Sequence, residues 1–212
     1  MNVDDYKKAT VNWYQERLGR FEHGIAALSS GTEERRAIRF KVLSEVGIRP
    51  GCSVLDVGCG YADFFAYLSG QGCEVAYTGV DLVPELVEEA CRRHPGADIQ
   101  VRDLMAQPFV AASFDYAVSS QTFNLRFGED SNALLVQQMM HAMFATAREG
   151  VAIDFTTDYV DFREPYLQYH SPEQTFGFGK TLTRRALLRH DYPLFEFCLY
   201  LYPDFKPWRQ AP

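Results

Sequence analysis

Residues 53–63, Ser-Val-Leu-Asp-Val-Gly-Cys-Gly-Tyr-Ala-Asp, constrain this chain more than any other stretch. They read as a short apolar strand, Val54 to Val57, carrying one acid, Asp56. A turn follows with glycine at 58 and 60, and then a helix from Ala62 to Leu68. Glycine at alternate positions lets the backbone approach a ligand closely, because no Cβ intervenes. The helix N-terminus behind the turn offers N–H groups that have no partner inside the helix.

What the turn lacks narrows the ligand. A dinucleotide fingerprint needs a third glycine where this chain has Asp63, a negative charge in the place of a pyrophosphate. That argues against NAD and FAD, and the absence of a following Gly-Lys-Ser/Thr excludes a P-loop. An acid two residues ahead of the first glycine suits a ligand with a positive group. Here the chain resembles the class I S-adenosylmethionine-dependent methyltransferases, whose first motif is hydrophobic-hydrophobic-acid-x-Gly-x-Gly-x-Gly. Residues 54–62 match it except that Ala62 replaces the last glycine, a substitution that still permits fairly close packing. The resemblance implies a Rossmann-like α/β fold, with a seven-stranded sheet whose last strand is antiparallel. It also implies S-adenosylmethionine as cofactor.

Composition sets the outer limits. With 212 residues and 47% apolar content, one α/β domain over 1–212 is expected, with N-terminal helices or a lid over 1–48 and a Rossmann-like core over 49–212. No apolar run reaches the length of a membrane span, and the first ten residues are polar and unlike a signal peptide. Cys52, Cys59, Cys73, Cys91 and Cys198 form no C-x-x-C pair and are odd in number, as expected of reduced thiols in a cytoplasmic protein. A net charge of −7 without a basic patch argues against a nucleic-acid partner and for a small-molecule substrate.

Along the chain, Val3, Tyr6, Trp13, Tyr14, Leu18 and Phe21 recur at helical spacing, and Tyr14 is a candidate cover for the cofactor. Ser30-x-x-Glu33 matches a capping box ahead of a helix over about 33–46. Arg39 on that helix is read either as a partner for the methionine carboxylate or as a surface ion-pair residue. A second strand, Glu74 to Val80, ends at Asp81-Leu82. Asp81 stands at about the interval of 20 residues expected of a ribose-binding acid. The helix from Pro84 places Glu88–Arg92 and Glu89–Arg93 pairs on its outer face. A third strand, Asp98–Val101, leads to Asp103-Leu104, which the resemblance places against the adenine edge; the plainer reading of Asp103 is a turn cap.

Tyr116–Ser119 reads as the fourth strand, and Gln121 to Asn124 at its carboxyl end is where cofactor and acceptor should meet. A helix over 130–147 and a strand over Val151–Thr156 follow. Next come a tyrosine-rich insert, a helix capped by Ser171-Pro172-x-Gln174, and two closing strands joined by His-Asp-Tyr-Pro.

A methyl group on a sulfonium is already activated, so positioning matters more than acid–base chemistry. Asp154, Tyr169, His170 and His141 are the candidate bases, and Tyr169 and Asn124 the expected catalytic pair. Gly58, Cys59 and Gly60 complete the expected cofactor set with Tyr14, Arg39, Asp56, Asp81, Leu82, Asp103, Leu104 and Gln121. No metal-ligand spacing is present. Two alternatives stay open. The resemblance extends to proteins that use S-adenosylmethionine as sole substrate, cyclising it to azetidine-2-carboxylate and methylthioadenosine. It also extends to non-catalytic binders of the same fold.

Overall fold

In a computed structural model, residues 2–21, 25–28, 31–127 and 132–204 are described. Their elements, in chain order, are α1 (Val3–Phe21), α2 (Ile25–Leu28), α3 (Glu33–Ser44), β1 (Ser53–Val57), α4 (Asp63–Gly70), β2 (Ala76–Asp81), α5 (Pro84–Arg93), β3 (Asp98–Val101), β4 (Phe114–Ser119), α6 (Ala133–Thr146), β5 (Ala147–Thr156), α7 (Pro172–Leu182), β6 (Arg185–Arg189) and β7 (Glu196–Tyr202).

The strands form one sheet in the order β3-β2-β1-β4-β5-β7-β6. The pairs among β1 to β5 are parallel, whereas β7 runs antiparallel to both β5 and β6. The order reverses between β1 and β4, the switch point outside which an open α/β sheet forms its ligand crevice.

Because β1 is covered on both faces, it reads as a nearly continuous apolar run. Leu55 and Val57 face α6, packing with Met139, Met140 and Met143. Val54 faces α3 and α4, packing with Phe40, Leu43, Phe64 and Leu68. The methionines of α6 are therefore core residues, and His141 on the same helix is exposed.

Three local expectations change. The last strand alternates Phe195, Phe197, Leu199 and Leu201 with Glu196, Cys198, Tyr200 and Tyr202, a pattern of two different faces, but β7 lies inside the sheet between β5 and β6, so Glu196 to Leu201 are all buried. Glu88 does not pair with Arg92; Glu89 instead accepts from both Arg92 and Arg93, at 2.6 and 2.7 Å. The cap of α3 is Thr32, whose side chain accepts from the Arg35 amide, while Ser30 lies outside the described residues. Ser171 does cap α7, accepting from the Gln174 amide at 3.2 Å.

Candidate active site

The carboxyl ends of β1, β2 and β4 open into a cleft of about 990 Å³, solvent at its mouth included. The glycine turn forms its floor. The amides of Gly58 and Cys59 both donate to the Val80 carbonyl, at 2.8 and 3.1 Å, which ties the turn to β2. Gly58 has φ of +73°, and a Cβ there would stand 2.3 Å from the Thr122 hydroxyl oxygen. A side chain at 58 would therefore meet the protein's own Thr122 before any ligand. Ala62, at the position of the motif's third glycine, is fully buried and left-handed with φ of +56°. The departure from glycine is thus accommodated sterically but carries a backbone strain.

The acids of the cleft occupy three different environments. Asp56 is buried and accepts from the Tyr77 hydroxyl at 2.7 Å. Burial raises its pKa to about 7, with Asp81, Asp154 and Asp63 adding to the rise and Tyr77 opposing it. Asp81 accepts from the amides of Gly60 and Val83, at 2.9 and 3.0 Å, which orients its carboxylate across the turn. Burial raises its pKa as well, against those hydrogen bonds.

Asp103 differs, because one of its oxygens takes the Lys7 ammonium of α1 at 2.6 Å and the other caps the amides of Met105 and Ala106. Burial works to raise its pKa, but the Lys7 pair outweighs it and holds the group below the usual carboxylate value. Asp103 therefore caps the turn while still lining the cleft.

Arg39 is neither a free carboxylate anchor nor a surface residue. It is buried and gives Glu196 two hydrogen bonds, from Nε at 2.8 Å and Nη2 at 2.6 Å, with Asp154 at 3.9 Å. Asp154 accepts from the Ser120 hydroxyl, the Gln121 amide and the Gln121 side chain, at 2.7, 2.7 and 3.0 Å. Its pKa is raised to about 6, mainly by burial, with Arg39 opposing.

The cleft lining includes Tyr14, Arg39, Asp56, Gly58, Cys59, Gly60, Asp81, Leu82, Asp103, Leu104 and Gln121. Asn124 lines neither cavity. It is buried, and its side-chain oxygen accepts from the Thr156 amide at 3.0 Å, so it braces the loop after β4 against β5. Tyr169 lies away from the cleft and lines a second basin of about 1300 Å³. Its hydroxyl accepts from the Glu164 amide at 2.8 Å. His170 is buried with Nε2 3.0 Å from the Phe123 carbonyl, and burial lowers its pKa. Sequence reasoning did not find Lys7, Arg36 or Glu196. Arg36 pairs with Asp63 at the start of α4, and the one hint of Glu196 was an acid within an otherwise apolar strand.

Known proteins resemble this chain in sequence and in fold. Residues 54–146 match the family described as a methyltransferase domain. A Mycobacterium tuberculosis protein named as a methyltransferase is 30% identical over 152 residues, 69% of this chain and 90% of the relative. The malonyl-acyl-carrier-protein O-methyltransferase of Pseudescherichia vulneris is 29% identical over 137 residues, 65% of this chain but only 51% of that enzyme. Among solved structures, an S-adenosylmethionine-dependent methyltransferase from Aquifex aeolicus superposes with a TM-score of 0.60 at 18% identity, covering 85% of this chain and 98% of that one. The DhpI complex with S-adenosylhomocysteine gives 0.68 at 13% identity, covering 92% and 95%. The chain belongs to the class I S-adenosylmethionine-dependent methyltransferase family.

Proposed function

We propose that this protein is a methyltransferase acting on a small molecule, which it holds in the second basin while S-adenosylmethionine occupies the glycine-turn cleft. The observation that carries the reading is the shared wall: Arg39 and Gln121 line both cavities, so a donor in one and an acceptor in the other would meet there.

The cleft fits the cofactor chemically. Asp56 is a buried carboxylate with no cationic partner among the described residues, and a ligand bearing positive charge would compensate it. Asp81, already oriented by two backbone amides, would hold the ribose hydroxyls, and Leu82 and Leu104 would pack on the base. When bound, S-adenosylmethionine supplies a methyl group activated by a sulfonium. The protein's part is to position and to exclude water. Gln121 stands at the junction, held by Asp154, and Tyr14 closes the cleft from α1. Tyr169, on the basin wall, is placed to contact the acceptor.

Among the described residues no helix is long and apolar enough to cross a membrane. The deciding experiment incubates the pure protein with S-adenosylmethionine alone, and then with candidate acceptors, and identifies the nucleoside product. S-adenosylhomocysteine formed only with an acceptor supports methyl transfer. Methylthioadenosine formed without one would replace this reading by intramolecular cyclisation. The existence of a separate basin weighs toward a second substrate.

A further inference from the structure

The second basin has a charge arrangement that its own residues do not satisfy. One wall comes from α3, where the half-exposed guanidinium of Arg35 comes no nearer to an acid than 4.0 Å, at Glu196 Oε1. Both oxygens of Glu196 are already hydrogen-bonded by Arg39, so Arg35 reaches Glu196 only as a long ion pair and makes no side-chain hydrogen bond among the described residues. The facing wall is the segment between β5 and α7, which contributes Asp161 and Glu164. Neither side chain makes a hydrogen bond or ion pair among the described residues. Arg35 thus shares the lining with two acids that it does not pair with, while Arg39 and Glu196, also in the lining, pair with each other.

Apolar surface completes the basin. Phe162 is 67% exposed, Phe195 51% and Tyr166 44%, and all three line it. Exposed aromatics clustered at a cavity mark a ligand surface more often than chance scatter does.

We propose that the basin binds a small zwitterion of the aromatic α-amino acid class. Its carboxylate pairs with Arg35, its ammonium faces Asp161 and Glu164, and its apolar body packs on Phe162, Tyr166 and Phe195. A guanidinium matches a carboxylate bidentately, which gives the site a direction as well as an affinity. This deepens the proposed function and rests on the basin being the acceptor site.

The test is calorimetry on the full chain, with and without S-adenosylhomocysteine, using three probes that share one ring. L-Tyrosine carries both charges, 3-(4-hydroxyphenyl)propionate the carboxylate only, and tyramine the amine only. Tyrosine should bind at least tenfold more tightly than either analogue. Arg35→Gln should bring tyrosine down to the level of tyramine, and Arg35→Lys should restore part of the loss. The double variant Asp161→Asn, Glu164→Gln should bring it down to the level of the propionate. Circular dichroism establishes that each variant is folded. Equal binding of all three probes, binding of tyrosine indifferent to these substitutions, or no heat from any probe would each overturn the proposal. Heat from S-adenosylhomocysteine, read in the same experiment, reports separately on the cofactor cleft. Tyrosine binding without it would keep the basin assignment and remove the cofactor reading.

Discussion

Asp154 Oδ1 accepts from both the backbone amide and the side-chain amide of Gln121, at 2.7 and 3.0 Å, and so holds that residue at a left-handed φ of +58°. A non-glycine residue in this region is strained, and the strain persists because the buried acid over-determines the conformation. The consequence is positional. Gln121 stands at the wall common to the cofactor cleft and the second basin, so its side chain sits where the two reactants would face each other.

Replacing Gln121 by glycine separates backbone from side chain. Glycine adopts φ of +58° without strain, so unfolding stability should stay within about 1 kcal/mol of wild type. Turnover should fall by roughly tenfold or more if the side chain orients the reactants. Stopped-point assays of S-adenosylhomocysteine formation, set beside urea denaturation, read both quantities. Full turnover in a folded Gln121→Gly protein would remove this wall from the chemistry.

The pH dependence of stability follows from the buried acids. Asp56 ionises at about 7 and Asp154 at about 6 in the folded protein, against about 3.9 for an unfolded aspartate. Between these limits the folded state binds more protons than the unfolded state. The stability these groups contribute is complete below about 4 and is lost as pH rises through 6 to 7. A cationic cofactor beside Asp56 favours its ionised form and offsets the loss. Thermal melts should therefore show ligand-free protein weakening from pH 5.5 to 8, on the order of a few kcal/mol. They should also show a larger stabilisation by S-adenosylmethionine at pH 8 than at pH 6. A ligand-induced shift independent of pH would place the positive charge away from Asp56.

Ala62→Gly offers a gain. The left-handed conformation costs an L-residue roughly 1–2 kcal/mol, part of which glycine returns to the unfolded state as entropy. Ala62 makes no cap hydrogen bond through its side chain, so only packing is lost. The variant should raise the denaturation midpoint by an amount equivalent to about 0.5–1 kcal/mol and leave activity unchanged. A destabilised Ala62→Gly would mean that the buried methyl contributes more than the strain costs.

The glycine turn, the acids at the ends of β1 and β2 and the order of elements were legible because each is a local pattern: a period, a spacing or a turn residue. The ion-pair partners were not. Arg39 and Glu196 are 157 positions apart and meet only because β7 inserts beside β5, which no local signal announces. Asn124 follows the fourth strand as a reactive residue would, yet its side-chain oxygen is taken by the Thr156 amide and it lines neither cavity. Polar residues near a sheet's carboxyl edge serve loops as often as ligands, and only tertiary hydrogen bonds tell the two apart.

In α1 the sole buried residue is Tyr6; Val3, Val11, Tyr14 and Leu18 pack half-buried against apolar clusters, and polar ties fasten the helix at the cleft edge. Lys7 pairs with Asp103 at the cleft edge, Gln15 donates to Glu85 of α5 at 2.8 Å, and the Tyr6 hydroxyl donates to the Leu125 carbonyl while accepting from Asn132. With one fully buried side chain, α1 opens at lower cost than the strands of the core. Lys7→Met should accelerate cofactor release several-fold; because the pair is part-buried, the stability cost should be about 1–3 kcal/mol, short of unfolding. Tyr6→Phe removes a buried donor and orphans its partners, so it should destabilise the fold by about 1–3 kcal/mol. Trp13, packed edge-on against Tyr14 with Arg17 4.6 Å from its ring, supplies the optical signal. Its emission should change as S-adenosylhomocysteine saturates the cleft, and that change should relax faster on dilution in Lys7→Met. If emission ignores the ligand and Lys7→Met unfolds the protein, α1 is packing that the core requires and not a cover that moves.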